Sequence, residues 1–410
     1  MEYNYYLYLI YPISFLIVFF LCKNRNKYRL FSGLILLYMA SSFVGSMIGL
    51  GVIDVNANKE PKLIPILFHI VMLIVLLLPF KSYDKFRYSK LKPINSSLLR
   101  PFTYLIIIFC LIGIYGDIQN INVNAIMTDI VSIRDELQEN EKAVSFTDHF
   151  SFFCKHYGCV ALALAYYYMK YFPKDKFTIV LLIICSLSSV FAGLQNGGRE
   201  YLIKYVFIYI VFLYYSKPEI DTYWKKTNRS ILIVFSSLAV VVFAVITVLR
   251  FSYSGQMDSN TVTAMFNYMG QGFANFSAIF NHFPDGVAGG GMHFPIFVGH
   301  SFSVINLNQS INSSLSLNTF STTIGSWVFD AGIYATVFIV LIYQTLMRYV
   351  GRRKFDLFTM IYMLWFYEFI FSCLFFHNQI FSLARLLSFV AIFIVEQLMK
   401  ANSVTAKSIR

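Results

Sequence analysis

Eleven long apolar runs leave this chain few folds to choose from. They are Tyr5–Cys22, Leu30–Ile53, Leu63–Phe80, Pro101–Gly116, Phe152–Phe172 and Phe177–Ala192, then Tyr201–Tyr215, Ile231–Leu249, Trp327–Met347, Phe355–Phe376 and Ile380–Met399. A helix of about 20 apolar residues crosses a hydrocarbon core of roughly 30 Å. In lipid every backbone polar group needs a partner, and a helix supplies it within one segment. The expected fold is therefore all-α, a polytopic transmembrane protein of about 11 spans. Composition agrees: 57% of the 410 residues are hydrophobic and only 13% charged, too little charge to cover a soluble surface. The first run has no basic segment before it and no small-residue cleavage site after it. It is expected to be a retained span, not a cleaved leader.

The net charge of +12 raises the question of nucleic acid, and the position of the charges answers it. Lys and Arg cluster in short loops between apolar runs: 23–29, 81–100, 174–176, 217–229 and 348–354. The intervening loops are neutral or acidic, most plainly 117–150 with Asp129, Asp135, Glu136, Glu139, Glu141 and Asp148. This alternation places the N-terminus outside and the C-terminus in the cytoplasm. No basic face with interleaved aromatics stands in a soluble domain, so nucleic acid is excluded as a partner. Residues 1–410 read as one integral membrane domain, with 251–326 as a single large outer, periplasmic loop. The six cysteines lie in or beside apolar runs without metal-ligand spacing, and read as small buried apolar residues. No metal and no cofactor are expected.

That outer loop is the most polar stretch of the chain. It holds Gly286 and Gly289 to Gly291, expected to form a mobile or tightly turned connection, and three histidines, His282, His293 and His300. Met265, Phe266, Met269, Phe273 and Phe276 recur at helical spacing, so Thr263–Phe283 reads as an amphipathic helix lying on the membrane. Met292–Leu307 reads as a dip into the protein.

Several cations break the charge pattern. Arg199 follows Gly197-Gly198 on the outer side, Arg250 ends a span there, Lys155 begins one, Lys204 lies a turn inside its span, and Arg385 sits inside the last span. Such residues are costly in lipid unless paired or facing water. Together they point to an outward-facing anionic site, for which a guanidinium suits a phosphate or diphosphate. The expected diphosphate-binding set is Arg199, Arg250, Arg385 and Lys155. Snorkelling to headgroups accounts equally well for Arg250 and Lys155. Glu368 and Arg385 lie at equal distance from the turn at His377, so an ion pair between them is an equal alternative. Acid–base candidates are His300, His293, His282, Asp330, Glu200 and Glu368, and the expected catalytic set is His300, Asp330 and Glu368. Asp330 begins a span, where it orients a substrate or caps the helix. Walker, GxSxG, HExxH and aspartate-rich motifs are absent from the sequence.

The chain resembles the Wzy-type oligosaccharide repeat unit polymerases of O-antigen and capsule synthesis. The likeness rests on the layout of spans and late outer loop, on Gly197-Gly198-Arg199, and on Asn318-Thr319-Phe320-Ser321 followed by Trp327-Val328-Phe329-Asp330-Ala331-Gly332. Ala331 stands where that pattern often has an aromatic. The resemblance implies a GT-C-like multi-span glycosyltransferase of the bacterial plasma (inner) membrane. It also implies undecaprenyl-diphosphate-linked oligosaccharide substrates, functional arginines in outer loops, sugar contacts from Asn318 and Thr319, and room for a chain-length regulator protein as partner. An O-antigen ligase, or a lipid-linked oligosaccharide flippase, are the rival expectations.

Overall fold

The computed structural model describes residues 4–23, 29–54, 57, 59–94, 96–120, 157–195, 200–216, 261–287, 289–291, 322–374 and 379–408, with a few isolated positions between 226 and 237. Among the described residues all regular structure is helical. A 3-10 turn, Tyr5–Leu9, leads into α1 (Ile10–Lys23), followed by α2 (Arg29–Gly49), α3 (Leu63–Leu77) and α4 (Leu99–Asn120). Then come α5 (Gly158–Tyr171), α6 (Lys176–Cys185), α7 (Ser188–Gln195) and α8 (Glu200–Ser216). The last are α9 (Thr261–His282), α10 (Thr323–Arg352), α11 (Leu357–Ser372) and α12 (Gln379–Ser408). Helix thus occupies every predicted apolar run except Ile231–Leu249, which lies largely outside the described residues.

Six of these helical stretches are long and apolar enough to cross a membrane: Tyr5–Cys22, Leu30–Gly49, Leu63–Lys85, Leu99–Gln119, Lys176–Gly193 and Thr323–Arg352. Tyr201–Tyr215 and Leu357–Ser372 are shorter apolar helices. The protein is a multi-pass helical membrane protein. Helix starts follow local chemistry: Asp175 accepts from the Thr178 N–H at 3.3 Å, and Asp356 from the Thr359 N–H at 2.8 Å.

The described residues form two compact units. The first comprises Met1–Lys85, Ser259–Arg353 and Phe369–Leu383. Its centre is α9, which crosses α2 where Gly45 meets Gly270. A Cβ on Gly45 would stand 2.6 Å from Phe273 Cβ and 2.8 Å from the Gly270 carbonyl oxygen. Small residues at this point let the two backbones close up, the usual device for packing helices in lipid. The periodic apolar face of α9 is therefore real, but the helix does not lie on a surface. Phe273, Ala274, Asn275, Phe276, Ser277 and Ala278 are all buried. The Tyr8 hydroxyl donates to the Ala274 carbonyl at 2.9 Å, and the Lys62 N–H donates to Ser277 at 3.1 Å.

The second unit comprises Phe86–Asp258, Lys354–Glu368 and Ala384–Arg410. Here α5 is buried almost throughout, from Val160 to Met169. Lys170 at its end donates to the carbonyls of Tyr88, Ser89 and Leu91, which fastens the basic segment before α4 onto α5. The predicted Phe177–Ala192 span is two helices. It breaks after Cys185, where Ser186 and Leu187 make turn hydrogen bonds back to Leu182 and Ile184.

Candidate functional site

Each unit contains one arrangement capable of more than packing. In the first unit it is a break in α10. Gly332 has φ 84° and ψ 177°, a backbone conformation essentially restricted to glycine. A break frees backbone groups, and the preceding segment satisfies them. Val287 N–H donates to the Phe329 carbonyl at 2.8 Å, and Gly290 N–H to the Asp330 carbonyl at 3.3 Å. In return, Ile333 N–H donates to the Pro284 carbonyl at 2.9 Å. Gly286, at φ 77°, presses so closely that a Cβ there would lie 2.5 Å from Gly332 N. The glycine cluster is therefore a tight turn, docked on the Phe329–Gly332 stretch.

Asp330 lies fully buried at this break. It does not begin the helix. That role belongs to Thr322, whose hydroxyl accepts from Gly325 N–H at 3.4 Å. The same hydroxyl is 2.7 Å from His69 Nε2, and His69 Nδ1 is 2.9 Å from the Tyr11 hydroxyl. The His69 ring stacks on Phe276 with centroids 3.9 Å apart. A buried Tyr11–His69–Thr322 chain thus fixes the entrance to α10. His69 was absent from the expected set, although a lone histidine inside the Leu63–Phe80 run was visible. His282, a candidate base, lies instead on the surface, 3.0 Å from Glu60. An exposed pair of this kind contributes about 0–1 kcal/mol.

In the second unit the arrangement is a charged cleft. Gly158, at the start of α5, sits against the Ser186 carbonyl, where a Cβ would approach to 2.8 Å. The next residue, Cys159, donates its thiol to Glu368 Oε2 on α11 at 3.2 Å. The Ser186 hydroxyl lies 2.8 Å from that of Tyr205 on α8. Lys204, one position earlier, holds its ammonium 4.7 Å from the centre of the Tyr201 ring, a cation–π contact. Lys204 and Glu368 are 4% and 8% exposed, and both line this cleft. Its free space is about 10 Å³, roughly the room of one water molecule and far short of a sugar. Cys159 is only partly buried and hydrogen-bonded, where a small buried apolar residue is expected.

The expected residues divide into three groups. Asp330 belongs to the first unit and Glu368 to the second. The backbone of Arg385 lies in α12, its side chain outside the described residues, so the expected pair with Glu368 is not among the described contacts. Arg199, Arg250, Lys155, His300, Asn318 and Thr319 all lie outside the described residues. Lys204 is among the cations that break the charge pattern, but it stands outside the expected anion-binding set. Its shared cleft with Glu368 has no local signal, because the two residues are far apart in the chain. Among the described residues no cluster of His, Cys, Asp and Glu could hold a metal ion. Comparison with known proteins returned no matching family model, no matching curated protein and no matching solved structure.

Proposed function

We propose that this protein is a membrane glycosyltransferase that polymerises lipid-linked oligosaccharide repeat units at the outer face of a bacterial plasma membrane. The donor is a glycan on undecaprenyl diphosphate. The acceptor hydroxyl oxygen attacks the anomeric carbon and the bond from that carbon to the diphosphate oxygen breaks. The diphosphate leaves with the electron pair, and the hydroxyl proton passes to a base. The observation that carries this reading is Asp330, a carboxylate buried inside a membrane helix at a break that the Pro284–Gly290 turn stabilises. A carboxylate buried within a membrane helix has a functional role by default. It also stands within the segment that resembles the polymerase pattern.

In this scheme Arg199, with Arg250 or Arg385, neutralises charge on the departing diphosphate, and Lys155 contributes at the rim. Fixed cations of this kind are worth several kcal/mol of barrier. Asp330 or His300 orients or deprotonates the acceptor, and Asn318 and Thr319 contact sugars. Glu368 has a positioning role beside Lys204, because the cleft that both line is too small to admit the substrate. The chain crosses the membrane about 11 times with its C-terminus in the cytoplasm, and a chain-length regulator is a fitting partner.

Deletion of the gene tests the reaction. Accumulation of single lipid-linked repeats is the expected result. Accumulation of long lipid-linked polymer overturns it in favour of a ligase, and absence of any outward-exposed repeat in favour of a flippase. Asp330→Asn, expressed at normal level, should reproduce the deletion; full-length polymer from that variant removes Asp330 from the site. Reporter fusions after 120, 216 and 352 test the span count and orientation.

A further inference from the structure

Helix α10 has more length than one crossing uses. As a straight rod its 30 residues would run about 45 Å, against a hydrocarbon core of roughly 30 Å. The arm after Gly332, residues 333–352, is by itself about 30 Å long. The arm before it, residues 323–331, is surplus to the crossing, and it carries Asp330. Ring contacts show where that surplus goes. Tyr343 stands 16 residues after Trp327, about 24 Å away along a straight helix. Yet the two rings stack with their centroids 5.4 Å apart. Phe369 on α11 joins them, 6.1 Å from Trp327 and 4.6 Å from Tyr343. The first arm therefore turns back at Gly332 toward the second and does not prolong it.

Both ends of this first arm are fastened within the first unit. The Thr323 N–H donates to the Cys373 carbonyl, just past the end of α11, at 3.2 Å. The Pro284–Gly290 turn holds the other end. Every residue from Thr322 to Asp330 is buried, whereas the second arm exposes Tyr334, Phe338 and Leu341. Trp327 is fully buried, and its indole N–H has no acceptor among the described residues. Its ring faces make the contact. Trp327 and Asp330 are three positions apart and so leave the same face of the arm. A rotation that frees the one moves the other.

We propose that Trp327 is a positioning residue for Asp330: its ring, held against Tyr343 and Phe369, keeps the first arm turned back and the carboxylate aligned with the acceptor hydroxyl. This role rests on the reading of Asp330 as part of the glycosyl-transfer site; the turned-back arm does not. Alignment of this kind matters because about 1 Å of misplacement costs up to about a hundredfold in rate. The contact needs an aromatic face and not the indole N–H, so a phenyl ring serves in its place.

Two measurements separate the arm from the role. Thr323→Cys, in the full chain and in native membranes, is treated with a short bifunctional maleimide and mapped by peptide mass spectrometry. A peptide joined between position 323 and the native Cys373 is expected. A straight α10 would put those positions more than about 20 Å apart, so absence of the joined peptide overturns the proposal. Trp327→Ala at normal protein level should slow polymer formation about tenfold or more. Trp327→Phe should stay within about threefold of the wild type. Wild-type polymer from Trp327→Ala overturns the positioning role. So does a Trp327→Phe variant as defective as Trp327→Ala, which assigns the position to the indole N–H and a ligand. Where Trp327→Ala does not accumulate, Tyr343→Leu removes the facing ring at a half-buried position, with the same expected result. A joined peptide in a protein whose deletion leaves long polymer, or no outward-exposed repeat, overturns the polymerase reading and the role with it, while the turned-back arm stands.

Discussion

The entrance to α10 in the first unit and the cleft of the second solve the problem of polar groups in an apolar protein in opposite ways. At the entrance to α10 the buried side chains are neutral and closed on one another. Tyr11, His69 and Thr322 form a chain, and the broken turn of α10 exchanges backbone hydrogen bonds with Pro284–Gly290. In the second unit the groups are charged: an ammonium and a carboxylate line one small space with a thiol and four hydroxyl-bearing side chains around it. A closed neutral network gives rigidity and a unique geometry. Buried charges are a poor source of stability, because desolvation offsets the attractions they make. Charges buried in membrane helices therefore point to chemistry or positioning, and the two regions should respond to mutation differently.

The largest effect is expected at the break in α10. Gly332→Val places a branched side chain at φ 84°, ψ 177° and drives a Cβ to 2.6 Å from the Asp285 carbonyl carbon. Backbone strain and overpacking each cost about 1–3 kcal/mol, so the sum is about 4 kcal/mol. Thermal unfolding in detergent measures it. A variant with wild-type stability would show that the Pro284–Gly290 turn is not docked on α10, and the contrast between the regions would lose its firmer half.

Next comes the charged cleft. Glu368→Leu leaves Lys204 buried with its carboxylate neighbour removed, and should cost about 3 kcal/mol. Adding Lys204→Met should recover most of that loss, since replacing both charges by apolar groups is near neutral. Polymer yield should stay low in the double variant. Recovery of both stability and yield would make the cleft as structural as the Tyr11–His69–Thr322 chain. His69→Leu should cost about 2 kcal/mol, for two neutral hydrogen bonds and the buried partners left behind. Wild-type unfolding in that variant would show that the chain at the entrance to α10 is not a clamp.

These outcomes bear on what could be read from the residues alone. The helices were legible because each apolar run is long enough to demand one, and composition states it redundantly. The helical character of Thr261–His282 was legible in its period, but its burial was not. That depends on Gly270 meeting Gly45 on another helix, which no local pattern encodes. Asp330 was legible as a candidate by its neighbours, while its place at a helix break depends on Pro284 and Gly286 supplying hydrogen bonds. Lys204 and Glu368 each stood out as charges in apolar runs. Their common cleft is a tertiary fact.

The smallest effect is the most discriminating. Cys159 donates to Glu368 through a thiol, a weak donor, so Cys159→Ala should cost under about 1 kcal/mol. If Glu368 acts through Lys204, polymer yield should fall by no more than about twofold, because both charges remain. The paired comparison is Cys159→Ser, which keeps a donor at that position with a shorter bond to the carbon chain. Equal, near-wild-type behaviour of the two variants assigns the cleft's role to its charges. A large loss in Cys159→Ala that Cys159→Ser restores assigns it to the hydrogen bond that orients Glu368. A large loss in both, with stability retained, would mean that the thiol itself takes part. The charged cleft would then hold a nucleophile that neither charge pattern nor spacing announces.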